Sequence, residues 1–172
     1  MATVVTPAVS AILQEFREEA AITKRVLDRV PGDKLTWKPH EKSMTLGQLA
    51  GHIGAIPGRI SRLAQQDSFD VLQGSFVPPQ PSSVQEIQET LEHGVRDAEQ
   101  ILQGFSDEQL AGTFCLMKGD REIFRQPRAA IVRTIMLNHW YHHRGQLSVY
   151  LRLLDVPLPV IYGRSADTDP FA

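Results

Sequence analysis

Apolar residues recur in alternating steps of three and four along four separate stretches of the chain, the spacing that lays one continuous stripe down the side of an α-helix. The first stretch runs from about Pro7 to Val30 and carries Leu13, Phe16, Ala20, Thr23, Leu27 and Val30. Thr6 is placed to cap it, Pro7 suits the first helical position, and Pro31-Gly32 stops it. The second opens with the capping box Thr45-Leu46-Gly47-Gln48, carries Leu46, Leu49, Ile53, Ile56, Ile60 and Leu63, and ends near Gln66. The third opens with a second such box, Ser83-Val84-Gln85-Glu86, and carries Val84, Ile87, Leu91, Gly94, Ala98 and Ile101 before Gly104. The fourth starts near Pro127 and ends before Asp155-Val156-Pro157, with Val132, Met136, His139, His143, Gln146, Tyr150 and Leu153 on its seam.

Three-four spacing in all four stretches is the signature of near-parallel helix packing, so the expected fold is all-α, a four-helix bundle. Between the third and fourth helices, Phe114-Cys115-Leu116-Met117 and Arg121-Glu122-Ile123-Phe124 flank Lys118-Gly119-Asp120, which suggests a small β-hairpin. Phe69 to Pro81 reads as a long connection, and the proline-bearing tail from Val156 to Ala172 as extended chain over the surface. At 172 residues the expected organisation is one domain over residues 1–172, large enough to hold its core without disulfide or metal staples.

Charge and composition narrow the partners. Eighteen Lys and Arg against 20 Asp and Glu leave a formal net charge of −2, which offers no attraction to nucleic acid or an anionic membrane. No run approaches the ~18 apolar residues of a membrane span, and the first residues lack the pattern of a signal peptide. The single cysteine, Cys115, excludes an internal disulfide and a Cys-rich zinc module and fits a reducing, cytoplasmic setting.

The anomaly is on the fourth helix, where His139, His143 and Gln146 occupy seam positions that a bundle normally gives to aliphatic residues. His139 and His143 project about 40° apart and about 6 Å along one face, a spacing at which two imidazoles can share a metal ion. On an ideal α-helical wheel the apolar face centres between them, while His142, the rival partner of His139, falls at the rim. His52, at mid-height on the second helix, is the candidate third ligand from the edge of that helix's apolar face. His40 lies in a loop and His93 borders the third helix's seam. Burying unpaired polar groups costs about 1–3 kcal/mol each, and one metal ion would satisfy both seam imidazoles, although hydrogen bonding within the core is the competing explanation.

Other chemistry has little support. The chain contains no His-Glu-x-x-His, no phosphate-cradling glycine loop, no Cys-x-x-Cys and no paired Glu-x-x-His of a di-iron bundle. Ser148 falls on the outer face of the fourth helix, and Cys115 reads as a small buried apolar residue. Gln146 and Gln48 are candidates to orient a ligand, Arg59 to meet an anionic substrate group, and Gly94 either to leave room beside a metal or to allow close helix packing. No catalytic residue is assigned.

The runs Leu35-Thr36-Trp37-Lys38-Pro39, Met44-Thr45-Leu46-Gly47-Gln48-Leu49-Ala50-Gly51-His52-Ile53 and Asn138-His139-Trp140-Tyr141-His142-His143-Arg144-Gly145-Gln146-Leu147 resemble the DinB/YfiT family. The closing segment Leu153 to Pro159 with Tyr162-Gly163 is similar as well, so the resemblance covers nearly the whole chain. It implies a four-helix bundle with a divalent metal held by His52, His139 and His143, and frequent homodimers. In some members it implies metal-dependent transfer or isomerisation with a low-molecular-weight thiol such as bacillithiol, mycothiol or glutathione; others are described as metal-dependent hydrolases. The expected function is therefore a metal-dependent transferase, with zinc or nickel, acting with a thiol on a small electrophile. Hydrolysis by a metal-activated water and a non-catalytic metal-binding stress protein are the alternatives.

Overall fold

The computed structural model describes residues 7–169, so the expected cap at Thr6 and the last three residues of the tail lie outside it. Helix α1 (Pro7–Leu27) buries Val9, Leu13, Phe16, Thr23, Val26 and Leu27, and also Glu19. The chain leaves it through a turn in which the Val30 N–H donates to the Leu27 carbonyl at 3.1 Å, and Val30 is buried although it lies beyond the helix.

Helix α2 (Leu46–Ala64) begins at the Thr45 capping box, with both reciprocal bonds to Gln48 made. The Trp37 and Leu35 carbonyls accept from the Leu46 and Gly47 N–H groups at 2.7 and 2.9 Å, tying the preceding loop to the helix start. Helix α3 (Val84–Gly104) is capped at Ser83, whose side chain accepts from the Glu86 N–H. Its box is only half made, because the Glu86 carboxylate accepts instead from the Ser82 N–H and hydroxyl, both at 2.7 Å.

α2 and α3 approach closely at three glycines. A Cβ built on Gly94 would stand 3.0 Å from the Gly54 carbonyl oxygen, and one on Gly58 would stand 2.9 Å from the Gly94 Cα. Gly94 therefore serves backbone-to-backbone packing and opens no space beside the histidines, which settles its two sequence readings in favour of packing.

The long connection contains β1 (Ser68–Asp70), and after the short helix α4 (Asp107–Ala111) come β2 (Thr113–Lys118) and β3 (Arg121–Pro127). β2 and β3 pair antiparallel around a two-residue loop in which Gly119 takes φ 57°, the left-handed corner that favours glycine. β1 adds a parallel strand on the other edge of β2. The Asp70 carboxylate accepts from the Gly119 N–H at 3.1 Å, fastening the end of β1 to the hairpin loop. This third strand is absent from the sequence reading.

The expected fourth helix is one continuous helical run with a change of winding. α5 (Arg128–Ile131) passes into a π-helical stretch, Val132–Asn138, and then into α6 (His139–Leu153). The π winding turns less per residue than the ~100° of an α-helix. It therefore holds Val132, Met136, Trp140 and Arg144, four residues apart, on one buried stripe that continues through Leu147 and Leu151. This corrects the expected seam: Gln146 is exposed and Leu153 is 59% exposed, and His139 and His143 sit at the edge of the buried face, half-buried. The ideal wheel failed because it assumed one winding throughout.

Candidate metal centre

His52 stands on α2, one turn before Ile56, and Pro57 lies inside the same helix. Pro57 has no N–H, so the Ile53 carbonyl loses its intrahelical donor. The Trp140 indole fills that vacancy, donating to the Ile53 oxygen at 2.9 Å in the buried core. One bond thus joins the residue after His52 to the residue after His139 and sets α6 against α2. Stacking of Trp140 on Phe16, with ring centroids 5.6 Å apart, holds the indole from the α1 side.

The three histidines converge at this junction. His139 Nε2 lies 2.7 Å from His143 Nε2 and 3.5 Å from His52 Nε2. One ligand atom from each of the three lies within 4.8 Å of the others. Two imidazole nitrogens on a tetrahedral zinc ion are about 3.3 Å apart, given Zn–N bonds of about 2.0–2.1 Å. The observed separations bracket that value. His142, the rival by spacing, is exposed and meets only the edge of the trio through His143, with centroids 5.0 Å apart.

Hydrogen bonding around the trio bears on whether a metal fits. His143 Nδ1 lies 2.7 Å from Gln146 Oε1. An amide oxygen only accepts, which assigns the proton to Nδ1 and leaves the His143 Nε2 lone pair facing His139. If His139 carries its proton on Nε2 it can donate to that lone pair, but its buried Nδ1 is then an acceptor with no hydrogen-bond partner. If the proton is on Nδ1, two lone pairs face each other at 2.7 Å. A cation between the Nε2 atoms replaces the facing lone pairs of the second tautomer, and only the His139 Nδ1 proton is then left without a partner. The donor set therefore fits a divalent metal.

Electrostatics point the same way. Burial, reinforced by His143 and His139 and then Arg59, lowers the His52 pKa to about 4. Burial also lowers His139, partly offset by the Ile135 backbone although no hydrogen bond of good geometry joins Nδ1 to it, and lowers His143, partly offset by Gln146. All three are held as neutral imidazoles at neutral pH, the form that ligates metals.

His52 and His139 open onto a cleft of about 450 Å³ between α2, the sheet and the start of the fourth helical run. Its walls are mainly apolar, and no carboxylate lines it among the described residues. Arg59 stands on the cleft wall, donating to the Ser75 carbonyl at 3.3 Å.

The remaining sequence candidates lie elsewhere. Gln48 is committed to the α2 cap and to the Pro78 carbonyl, so of the two glutamines only Gln146 orients a histidine. His40 accepts from the Lys42 N–H in an exposed turn, and His93 is exposed beside Arg96. Ser148 bonds to the Gly145 carbonyl of its own helix. Cys115 is a free, buried thiol in β2.

Sequence reasoning missed a buried ion pair behind the histidines. Arg144, with its side chain 1% exposed, pairs with Glu19 Oε2 at 2.6 Å. It also donates to the Glu19 carbonyl, to Thr23 Oγ1 and to the Tyr162 hydroxyl, and lies 5.2 Å from the Tyr141 ring centroid. Tyr162 donates to the same Glu19 oxygen at 2.9 Å. The network locks α6 and the C-terminal tail onto α1 and fixes the rotation that carries His143. Its signal was the run Trp140, Arg144, Leu147, Leu151, a second three-four series one residue around from the histidines.

The fold and this trio define a helical protein with a three-histidine site, and comparison with known proteins names its class. The DinB family profile matches residues 1–169, and the chain belongs to the DinB family. Among solved structures, a DinB-like protein of Bacillus subtilis superposes with a TM-score of 0.68 at 20% identity, covering 90% of this chain and 99% of that one. A DinB-like protein of Bacillus cereus gives 0.68 at 25% identity, over 89% and 97% respectively. No curated protein matches the chain. No helix among the described residues is long and apolar enough to cross a membrane.

Proposed function

We propose that His52, His139 and His143 hold one divalent metal ion, zinc or nickel, in a single-domain four-helix bundle. The protein is then a metal-dependent transferase that joins a low-molecular-weight thiol to a small electrophile. The observation that carries this reading is the convergence of three neutral imidazoles, two of which, His52 and His139, line a mainly apolar cleft. When bound, the metal supplies Lewis acidity that favours the thiolate form of a thiol.

The chain's own residues divide the remaining work. Gln146 fixes the His143 tautomer, Trp140 sets the distance between His52 and the α6 pair, and the apolar walls exclude water from the electrophile. Thiol sulfur forms a bond to the electrophilic carbon, the leaving group departs with its bonding electron pair, and the thiol proton goes to solvent. With no carboxylate on the cleft wall among the described residues, proton removal falls to solvent. A homodimer in a reducing, cytoplasmic compartment completes the proposal, since the thiol must stay reduced.

Metal content of the untagged protein tests the site. His139→Ala or His143→Ala drops bound metal well below one per chain, His52→Ala weakens binding less, and His142→Ala leaves it unchanged. Full occupancy in all four variants refutes the assignment. A screen of thiols against electrophiles tests the reaction: consumption of electrophile without thiol identifies a hydrolase, and metal binding with no turnover a non-catalytic protein. Light scattering at the mass of one chain across micromolar concentrations overturns the dimer.

A further inference from the structure

The cleft beside the histidines carries its own recognition chemistry. On the sheet side, Leu116 of β2 is the cross-strand partner of both Phe69 of β1 and Phe124 of β3. The three make one apolar row across the strands, with Phe114 two residues before Leu116 on the same face of β2; all four line the cleft. On the helix side, His52, Ile56, Arg59, Ile60 and Leu63 follow the i, i+4, i+7, i+8, i+11 pattern of a single face of α2 and line it too.

One charge on that wall is uncommitted to a carboxylate. Arg62 is paired with Asp97, whereas Arg59 forms no ion pair among the described residues and only donates to the Ser75 carbonyl. Arg59 follows His52 by seven residues, which puts it about 10 Å further along the helix axis. The imidazoles of His52 and His139, a guanidinium about two turns further along α2 and an apolar row on the facing sheet make this an amphipathic site, whose α2 wall continues past Arg59 to Leu63 and Gln66. Its volume of about 450 Å³ falls in the range that holds small organic ligands.

We propose that this cleft takes an elongated, largely apolar molecule with one anionic end, its anion held by Arg59 and its apolar body lying against Phe69, Leu116 and Phe124. That the opposite, uncharged end is the reacting one rests on the function proposed above; the binding itself does not. A carboxylate at Arg59 gains a charge-assisted bond that a neutral end group cannot make. The apolar row selects against compact polar substrates, because their groups would lose water without finding partners.

The test is calorimetric titration of decanoate and of uncharged decanol into metal-free and zinc-loaded protein. The expected result is saturable binding of one decanoate per chain in both forms. Arg59→Gln, on an exposed residue and with folding checked by circular dichroism, should weaken decanoate about tenfold and decanol less than twofold. Leu116→Glu, with folding checked by circular dichroism, should weaken both by tenfold or more.

Absence of saturable decanoate binding overturns the inference, as does an equal effect of Arg59→Gln on the two probes. Decanoate affinity that rises tenfold with zinc and ignores Arg59→Gln places the carboxylate at the histidines and overturns the proposed orientation. The two proposals fail separately. Decanoate binding to a protein that takes up no metal leaves the cleft inference standing and removes the proposed function. Metal binding without decanoate binding does the reverse.

Discussion

The Trp140 to Ile53 bond makes a quantitative prediction because its origin is a single missing proton donor. Trp140→Phe keeps an aromatic ring against Phe16 but removes the indole N–H, leaving the buried Ile53 carbonyl with neither Pro57 nor Trp140 to donate to it. An unsatisfied buried acceptor costs about 1–3 kcal/mol, and the smaller ring leaves a void costing about 1 kcal/mol. The expected loss is roughly 2–4 kcal/mol, and at about 2–4 °C per kcal/mol for a chain of this size Tm should fall by about 5–15 °C. Urea denaturation of the metal-free protein measures it without interference from metal binding. The discriminating arm is Pro57→Ala, which restores an N–H four residues after Ile53. In that background Trp140→Phe should cost at least about 1 kcal/mol less, because the carbonyl regains a helical partner. Additivity of the two substitutions within about 0.3–0.5 kcal/mol would refute the argument that proline creates the vacancy the indole fills.

Arg144→Met should destabilise by about 3–5 kcal/mol, since it strands Glu19 in the core, and adding Glu19→Gln should recover part of that loss in the same urea assay. Gly94→Ala should lower stability by about 1–3 kcal/mol, because its Cβ would press on the Gly54 and Gly58 backbone; an unchanged urea midpoint would contradict the close approach of α2 and α3. The acid behaviour of the metal-free protein follows from the histidines. Burial lowers the folded His52 pKa to about 4 from an ordinary value of 6.5, so between those values the unfolded chain binds more protons and stability rises with pH. Acidification should erode stability from about pH 6.5 towards pH 4, a dependence that His52→Gln should flatten; a urea midpoint constant between pH 7 and pH 4.5 would contradict the lowered pKa.

Much of this molecule was legible as local pattern. The Thr45-Gln48 cap, the apolar series of α1 to α3 and the His139-His143 pair all depend on residues within a turn or two of one another, whereas His52 joins that pair only across the fold. Glu19 and Arg144 escaped notice because each is an ordinary surface residue by type, and only their meeting across α1 and α6 makes burial tolerable. The strand β1 escaped because three residues carry almost no period of their own; its pairing with β2 spans a long loop closed by the intervening helix.

The sequence by itself determined which residues could be buried and which could ligate, because periodicity and side-chain chemistry are properties of the chain alone. Tertiary structure decided the phase. The π winding of Val132–Asn138 rotates the fourth helical run, so that Trp140 and Arg144 enter the core while His139 and His143 stay at its edge, with His139 lining the cleft. No wheel drawn at constant pitch contains that rotation, which is held by contacts to α1 and α2: Arg144 to Glu19, and Trp140 to the carbonyl that Pro57 leaves free.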